Sequence, residues 1–279
     1  MTRVHLNGRL VEAAEARIDP ADRGFLLADG LFETLRAYGG RPFRLPEHLA
    51  RLAAGAATLE LPMPPGAEIA AAVGETLAAN GFAEASIRIT LTRGPGPRGL
   101  LPPREAKPTL LVAAHSLPAS QPAPVSACLA GARRNEHSPL SRLKTLGYLD
   151  NVLALREAAA AGFDEAILLN TAGRIAGGSR SNLFLVLEGV VATPPASEGV
   201  LPGIARQTVL ELARAEGIPL EERALPASDL ERAEEVFLTN SLIEVAPLAA
   251  LGRRRLPSRQ TGETLAGLYR KAIDACSAD

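Results

Sequence analysis

The sequence has no tryptophan, two cysteines and only 4% aromatic residues. Cys128 and Cys276 stand far apart, in neither a redox nor a metal-ligand spacing, and His5, His48, His115 and His137 are as scattered. A disulfide framework and a structural zinc site are therefore not expected. Acidic and basic residues nearly balance, at a formal net charge of -1, and no basic stripe argues for a nucleic-acid partner. No run approaches the roughly 20 apolar residues of a membrane span. Met1–Gly8 lacks the apolar core of an export signal. The expectation is a cytoplasmic protein with no metal site.

Lysine is the most telling shortage. Lys107, Lys144 and Lys271 are the only ones, so nearly all of the 30 basic residues are arginine. Arginine stays protonated and forms no imine at neutral pH, whereas lysine can once burial favours its neutral form. Lys144 sits in Arg142-Leu143-Lys144-Thr145-Leu146-Gly147-Tyr148, where Leu143, Leu146 and Tyr148 form an apolar collar of that kind. The competing reading is a surface lysine at a strand–helix junction.

What is present fits an ordinary globular chain: 279 residues, 47% hydrophobic and 22% charged, enough for one large or two modest domains. Val4–Leu6 and Arg9–Glu12 read as a hairpin about Asn7-Gly8. Leu31–Tyr38, Ala85–Thr92 and Thr109–Ala114 read as strands. Leu45–Thr58 and Ala67–Asn80 carry helical spacing, the second closed by Gly81. The proline-rich stretch 116–124 reads as a linker between residues 1–115 and 125–279. Beyond it, Tyr148–Ala161 predicts a helix stopped by Gly162, with Val152, Leu155 and Ala159 on one face. Ala166–Asn170, Asn182–Leu187, Val190–Thr193 and Val236–Thr239 predict strands, and Ala205–Glu216 and Thr261–Cys276 helices. The fold class is mixed α/β in two lobes.

Gly94-Pro95-Gly96-Pro97-Arg98-Gly99 matches the pattern of a dinucleotide loop, but Leu100-Leu101-Pro102-Pro103 cannot begin the helix such a site requires. It reads as a rigid loop whose Arg93 and Arg98 suit a carboxylate. Gly199–Arg206 enters a helix without a side-chain cap, and free amides at the positive end of a helix dipole bind phosphate. An ordinary helix start capped by water is the alternative there. Thr239-Asn240-Ser241 adds hydroxyls and an amide after a strand, and Arg51 lies on the polar edge of its helix. An imine-forming lysine, a phosphate cradle and a hydroxyl loop are the parts of a pyridoxal phosphate enzyme.

At these residues the chain resembles the fold type IV (class IV) pyridoxal phosphate enzymes, which include branched-chain and D-amino acid aminotransferases and 4-amino-4-deoxychorismate lyase. The likeness runs through Asp22-Arg23-Gly24, Asp29–Thr34, His48–Leu52, Leu143-Lys144-Thr145, Asn151–Ala154, Gly162–Ala166, Ser181–Phe184, Leu201–Arg206 and Val236–Leu242. It implies a small α/β lobe and a larger pseudo-barrel lobe with pyridoxal 5'-phosphate between them, and a homodimer. It implies that Lys144 bonds the aldehyde and then shuttles the substrate proton. Arg51, the Ile204 and Ala205 amides, Asn240 and Ser241 would hold the phosphate, and Leu201 would lie against the ring. Arg98, Phe32 and Tyr148 would face a small amine or amino acid substrate.

Two positions depart from the family pattern. Gly177 stands where relatives usually carry the glutamate that pairs with the pyridine nitrogen, and Ala205 replaces a threonine of the cradle. A carboxylate from elsewhere, a water or a neutral pyridine are the explanations open for Gly177. The motifs Gly30–Arg36, Arg93–Gly99 and Thr239–Leu242 look most like aminodeoxychorismate lyase, which releases 4-aminobenzoate and pyruvate. The alternatives are a transaminase of D-amino acids, branched-chain amino acids or (R)-amines, and a weakly active cofactor-binding protein.

Overall fold

Asn7 and Gly8 both take positive φ, 48° and 82°, the backbone a two-residue hairpin requires. They join β1 (Arg3–Leu6) to β2 (Arg9–Glu12), with Leu6 opposite Arg9. The structure is a computed structural model describing residues 2–117 and 125–278, apart from the side chains of 277 and 278. From position 118 onward, the expected 116–124 linker lies outside the described residues. Contacts divide the chain into two units, Met1–Ser120 with Leu143–Gly147, and Gln121–Arg142 with Tyr148–Asp279.

In the first unit, α1 (Arg23–Leu27) precedes β3 (Gly30–Tyr38) and the short β4 (Arg41–Pro42). Then come α2 (Leu45–Thr58), α3 (Gly66–Asn80), β5 (Ala85–Thr92) and β6 (Thr109–Ser116). The strands form one antiparallel sheet in the order β2-β1-β6-β5-β3-β4. Strand alternation sends Leu31, Leu35, Ile87, Ile89, Leu91 and Val112 to one face, where they meet Leu52, Ala56, Ile69 and Val73 of α2 and α3. Each such leucine or isoleucine contributes roughly 1.5–3 kcal/mol by leaving water. Glu33 shares the core face, and Phe32 points to the other.

The second unit begins with β7 (Ser126–Arg134), α4 (Leu149–Ala160), β8 (Glu165–Asn170), β9 (Ile175–Gly178), β10 (Asn182–Leu187) and β11 (Val190–Thr193). It continues with α5 (Ile204–Ala215), β12 (Leu220–Glu222), α6 (Asp229–Arg232), β13 (Glu235–Asn240) and β14 (Glu244–Pro247). The strands β15 (Ala250–Leu251) and β16 (Arg254–Arg255) and helix α7 (Gln260–Ala278) complete it. Its two five-stranded sheets run β12-β11-β10-β13-β14 and β16-β15-β7-β8-β9, and β9 adjoins β10. Phe184 and Phe237, paired across β10 and β13, stack with centroids 4.8 Å apart.

One helix face is now defined, and one boundary needs correction. Helix α4 turns Ala154 and Ala158 inward against Ala130, Ala166 and Leu168, while Val152 is exposed. Small residues let the helix approach the strands closely, and the larger side chains are left outside. The lysine segment does not group with residues on either side of it, as a single 125–279 lobe implies. Leu143–Gly147 joins the first unit because it runs antiparallel to the start of β3, bridging Leu31 to Thr145.

Candidate active site

Lys144 is held by backbone hydrogen bonds on that edge. Phe32 N donates to Lys144 O at 2.9 Å and Leu146 N to Gly30 O at 3.1 Å. The lysine Nζ lies 4.3 Å from the centroid of the Phe32 ring, and the Arg88 guanidinium carbon 3.9 Å from it. Phe32 is buried and Arg88, on β5, is exposed. Two cations against one aromatic ring suit its negative quadrupole. Lysine, ring and arginine thus form one grouping, of which sequence reasoning found only Lys144 and Phe32.

One residue along β3, Glu33 faces α2. His48 Nδ1 donates to its Oε2 at 2.7 Å, Arg51 Nε to Oε1 at 2.8 Å and Arg51 Nη2 to Oε2 at 2.6 Å. Burial pushes the Glu33 carboxyl up, but Arg51 and His48 outweigh it and hold it below the ordinary carboxylate range. His48 is depressed by burial, with Arg51 and Lys144 adding to the effect against the pull of Glu33. A neutral imidazole facing an acceptor-only carboxylate carries its proton on Nδ1. Arg51 is therefore a fixed cation, oriented by a paired glutamate.

A second ion cluster shapes the loop bearing Arg98. Asp29 Oδ2 accepts from Arg23 Nε and from Arg93 Nε, each at 2.8 Å. Arg23 also donates to Gly99 O and Leu100 O, and Arg93 to Glu60 O and Leu59 O. Arg93 is thus a structural brace at the end of α2, not a ligand for a substrate carboxylate. Arg98 is exposed. Gly94 approaches the chain too closely for any side chain, since an added Cβ would stand 1.8 Å from Lys107 O. No helix follows it, consistent with a rigid loop and not a nucleotide cradle.

In the second unit, α5 starts without a side-chain cap, as its sequence suggests. Gly203 caps α5 with no side-chain hydrogen bond, and the first intrahelical bond runs from Gln207 N to Gly203 O at 2.9 Å. The amides of Ile204, Ala205 and Arg206 accordingly have no acceptor within the helix. Asn182 Nδ2 donates to Leu201 O at 2.9 Å, and its Oδ1 would stand 2.0 Å from a Cβ on Gly203. The glycine is needed because Asn182 fills that space. Ile204 and Ala205 are buried and Leu201 is partly exposed. These features fit a phosphate group: open amides, a helix dipole and a glycine approach.

The Asn240 side chain is engaged with backbone groups. Its Oδ1 accepts from Leu242 N and Ile243 N at 2.8 and 2.9 Å, and its Nδ2 donates to Arg180 O. It shapes the turn in which Ser241 sits. Thr239 Oγ1, just before it, is buried without a hydrogen-bond partner among the described residues. Tyr148 precedes α4 and is partly buried. Gly177, on β9, is buried at φ 111°, with Ser181 O 3.1 Å from an added Cβ. Sequence reasoning passed over Glu33, Arg88 and Asn182, although the Ser-Asn-Leu-Phe run was the signal for the last.

Comparison with known proteins establishes the family. The family model for amino-transferase class IV matches residues 30–251. A Methanocaldococcus jannaschii protein assigned as a branched-chain-amino-acid aminotransferase is 37% identical, over 98% of this chain and 96% of its own. The D-alanine aminotransferase of Listeria innocua is 30% identical, over 98% and 95%. The aminodeoxychorismate lyase of Bacillus subtilis is 31% identical, over 97% and 94%. Among solved structures, the Thermoproteus uzoniensis branched-chain aminotransferase with norvaline superposes with a TM-score of 0.92 at 33% identity, covering 98% of this chain and 95% of that one. A second branched-chain amino acid aminotransferase, solved with pyridoxamine 5'-phosphate, gives 0.91 at 28% identity, over 98% and 94%. The chain belongs to the class IV aminotransferases, enzymes that use pyridoxal 5'-phosphate.

Proposed function

We propose that the chain is an aminodeoxychorismate lyase, releasing 4-aminobenzoate and pyruvate. Bound pyridoxal phosphate supplies an aldehyde for an amine and a ring that draws electrons from a neighbouring bond. Lys144 is the covalent anchor, and once released it carries the proton. Arg51, fixed by Glu33, and the Ile204 and Ala205 amides bind the phosphate, with Ser241 assisting. Leu201 borders the ring. Phe32, Tyr148, Arg88 and Arg98 line the substrate, the arginines meeting its carboxylates.

The observation that carries the lyase reading is Gly177. No carboxylate projects from that position, so the electron sink is weaker, and a reaction driven by forming an aromatic ring tolerates this better than transamination. A transaminase of branched-chain amino acids is the second reading, supported by the 37% identical relative and the norvaline-bound neighbour. A panel assay with aminodeoxychorismate, L-leucine, D-alanine and an (R)-amine separates them. Brisk keto-acid-dependent transamination without aminobenzoate would overturn the lyase.

We also infer a homodimer. Phe25, Leu26 and Leu27 on α1 and Leu100 and Leu101 on the Arg98 loop are exposed, Phe25 to 77%, which is costly for side chains of this size unless covered. Sedimentation as a monomer at micromolar concentration would count against it. No described helix is long and apolar enough to cross a membrane.

A further inference from the structure

Arg134 ends β7 and is partly buried; its carbonyl accepts from Thr171 N, but its guanidinium makes no hydrogen bond or ion pair with the described residues. It differs in this from the other arginines withdrawn from solvent in its unit. Arg174 meets Glu198, Arg206 meets Glu222, Arg223 meets Asp229, and Arg254 donates to Leu230 O and Ala233 O. Burial pushes the Arg134 guanidinium down from its ordinary value, with Tyr148 and Asp150 opposing. Arginine nonetheless stays charged and offers donors only.

Its position matters. Arg134 Cγ lies 3.4 Å from where a Cβ on Gly199 would stand, so it flanks the segment that runs through Leu201 and Gly203 into α5. In the same sheet, Arg134 is opposite Asn170 on β8, and Gly177 is opposite Leu168 on the other side of that strand. The glycine leaves the space beside β8 without a side chain.

A pyridine nitrogen closed off from water needs a partner, which can be a carboxylate with the nitrogen protonated or an arginine. The buried carboxylates of this unit are already engaged. Glu165 accepts from the Ser179 amide and hydroxyl and from Ser181 Oγ. Glu136 is bound to Thr171, Glu198 to Asn170 and Arg174, and Asp229 to Arg223. Glu235 accepts from the start of α7, and Glu244 pairs with Arg270. We propose that Arg134 is the ring-nitrogen partner of the cofactor, donating an N–H to an unprotonated pyridine nitrogen. Gly177 is then a compensated change. This rests on the cofactor reading above.

The test is ¹⁵N NMR of the protein loaded with pyridoxal phosphate labelled at the ring nitrogen. At neutral pH the wild type should show the shift of an unprotonated pyridine. Arg134→Glu should move it into the pyridinium range, and Arg134→Leu should weaken cofactor binding about tenfold. Arg134→Lys, which keeps a charged donor, should hold the unprotonated signal if the leucine variant does not fold. A pyridinium signal in the wild type overturns the proposal, as does an unprotonated signal that Arg134→Glu leaves unchanged. Loss of covalent attachment at Lys144 in the wild type would instead remove the cofactor reading itself, and this proposal with it.

Discussion

Lys144 and Phe32 are bound twice over: the Phe32 amide donates to the Lys144 carbonyl at 2.9 Å, and the lysine Nζ lies 4.3 Å from the Phe32 ring centre. Backbone pairing fixes where the lysine starts, and the ring fixes where its amine ends. Phe32→Leu keeps the burial but removes the aromatic face, a loss of about 1 kcal/mol. The expected outcome is a fall in kcat/KM of roughly fivefold with the thermal midpoint little changed, read by steady-state kinetics and calorimetry.

Lys144→Ala should leave the fold intact, because the segment is held by its backbone. It should abolish the visible absorbance of the loaded protein and lower turnover by roughly 10²–10⁴-fold, the range for removing a positioned proton carrier. Retained turnover with another lysine carrying the cofactor, found by mass spectrometry after borohydride reduction, would refute the assignment.

Acid should weaken the first unit in two stages. His48 is depressed below its ordinary 6.5, so below that pH the unfolded chain takes up the proton first and stability falls. Glu33 is depressed below its ordinary 4.5, so its contribution is present above that pH and lost as pH falls towards the folded value. Denaturation curves measured from pH 8 to 4 should show the first loss, and His48→Gln should remove it.

Gly203→Ala is expected to damage the cradle without backbone strain. The residue sits at φ -70°, which alanine adopts, but its Cβ would collide with Asn182 Oδ1 at 2.0 Å. Affinity for pyridoxal phosphate should fall by about tenfold or more, the scale of one charge-assisted hydrogen bond, as measured by fluorescence titration.

Gly177→Glu is not a simple restoration. At φ 111° any side chain costs about 1–3 kcal/mol of backbone strain. The variant should show a lower denaturation midpoint, and Gly177→Ala should share most of that loss. A glutamate variant as stable as the wild type would show that β9 rearranges freely.

Much of this was legible from residue order. Asn7-Gly8, Gly81 and the period of Leu45–Thr58 announce a hairpin, a helix stop and a helix through local chemistry, and those elements formed as expected. Lys144 stood out because lysine is scarce, and the α5 start because it has no capping side chain. What escaped notice depends on partners distant in the chain. Glu33 is legible only once α2 lies on β3, and the structural use of Arg93 only once Asp29 and the end of α2 meet it. The inner face of α4 was not legible because alanine carries little periodic signal, yet close approach to a sheet selects it. The turn-closing bonds of Asn240 were not legible because an amide that closes a turn and one that binds a ligand look alike in sequence.

The grouping of Leu143–Gly147 with the first unit also bears on how the protein can be divided. A single cut in the proline-rich stretch would leave Lys144 on the C-terminal fragment, away from the sheet edge with which its backbone is paired. Neither piece would be a working half. Activity should return only when the two fragments are mixed and the severed body recaptures its borrowed pentapeptide.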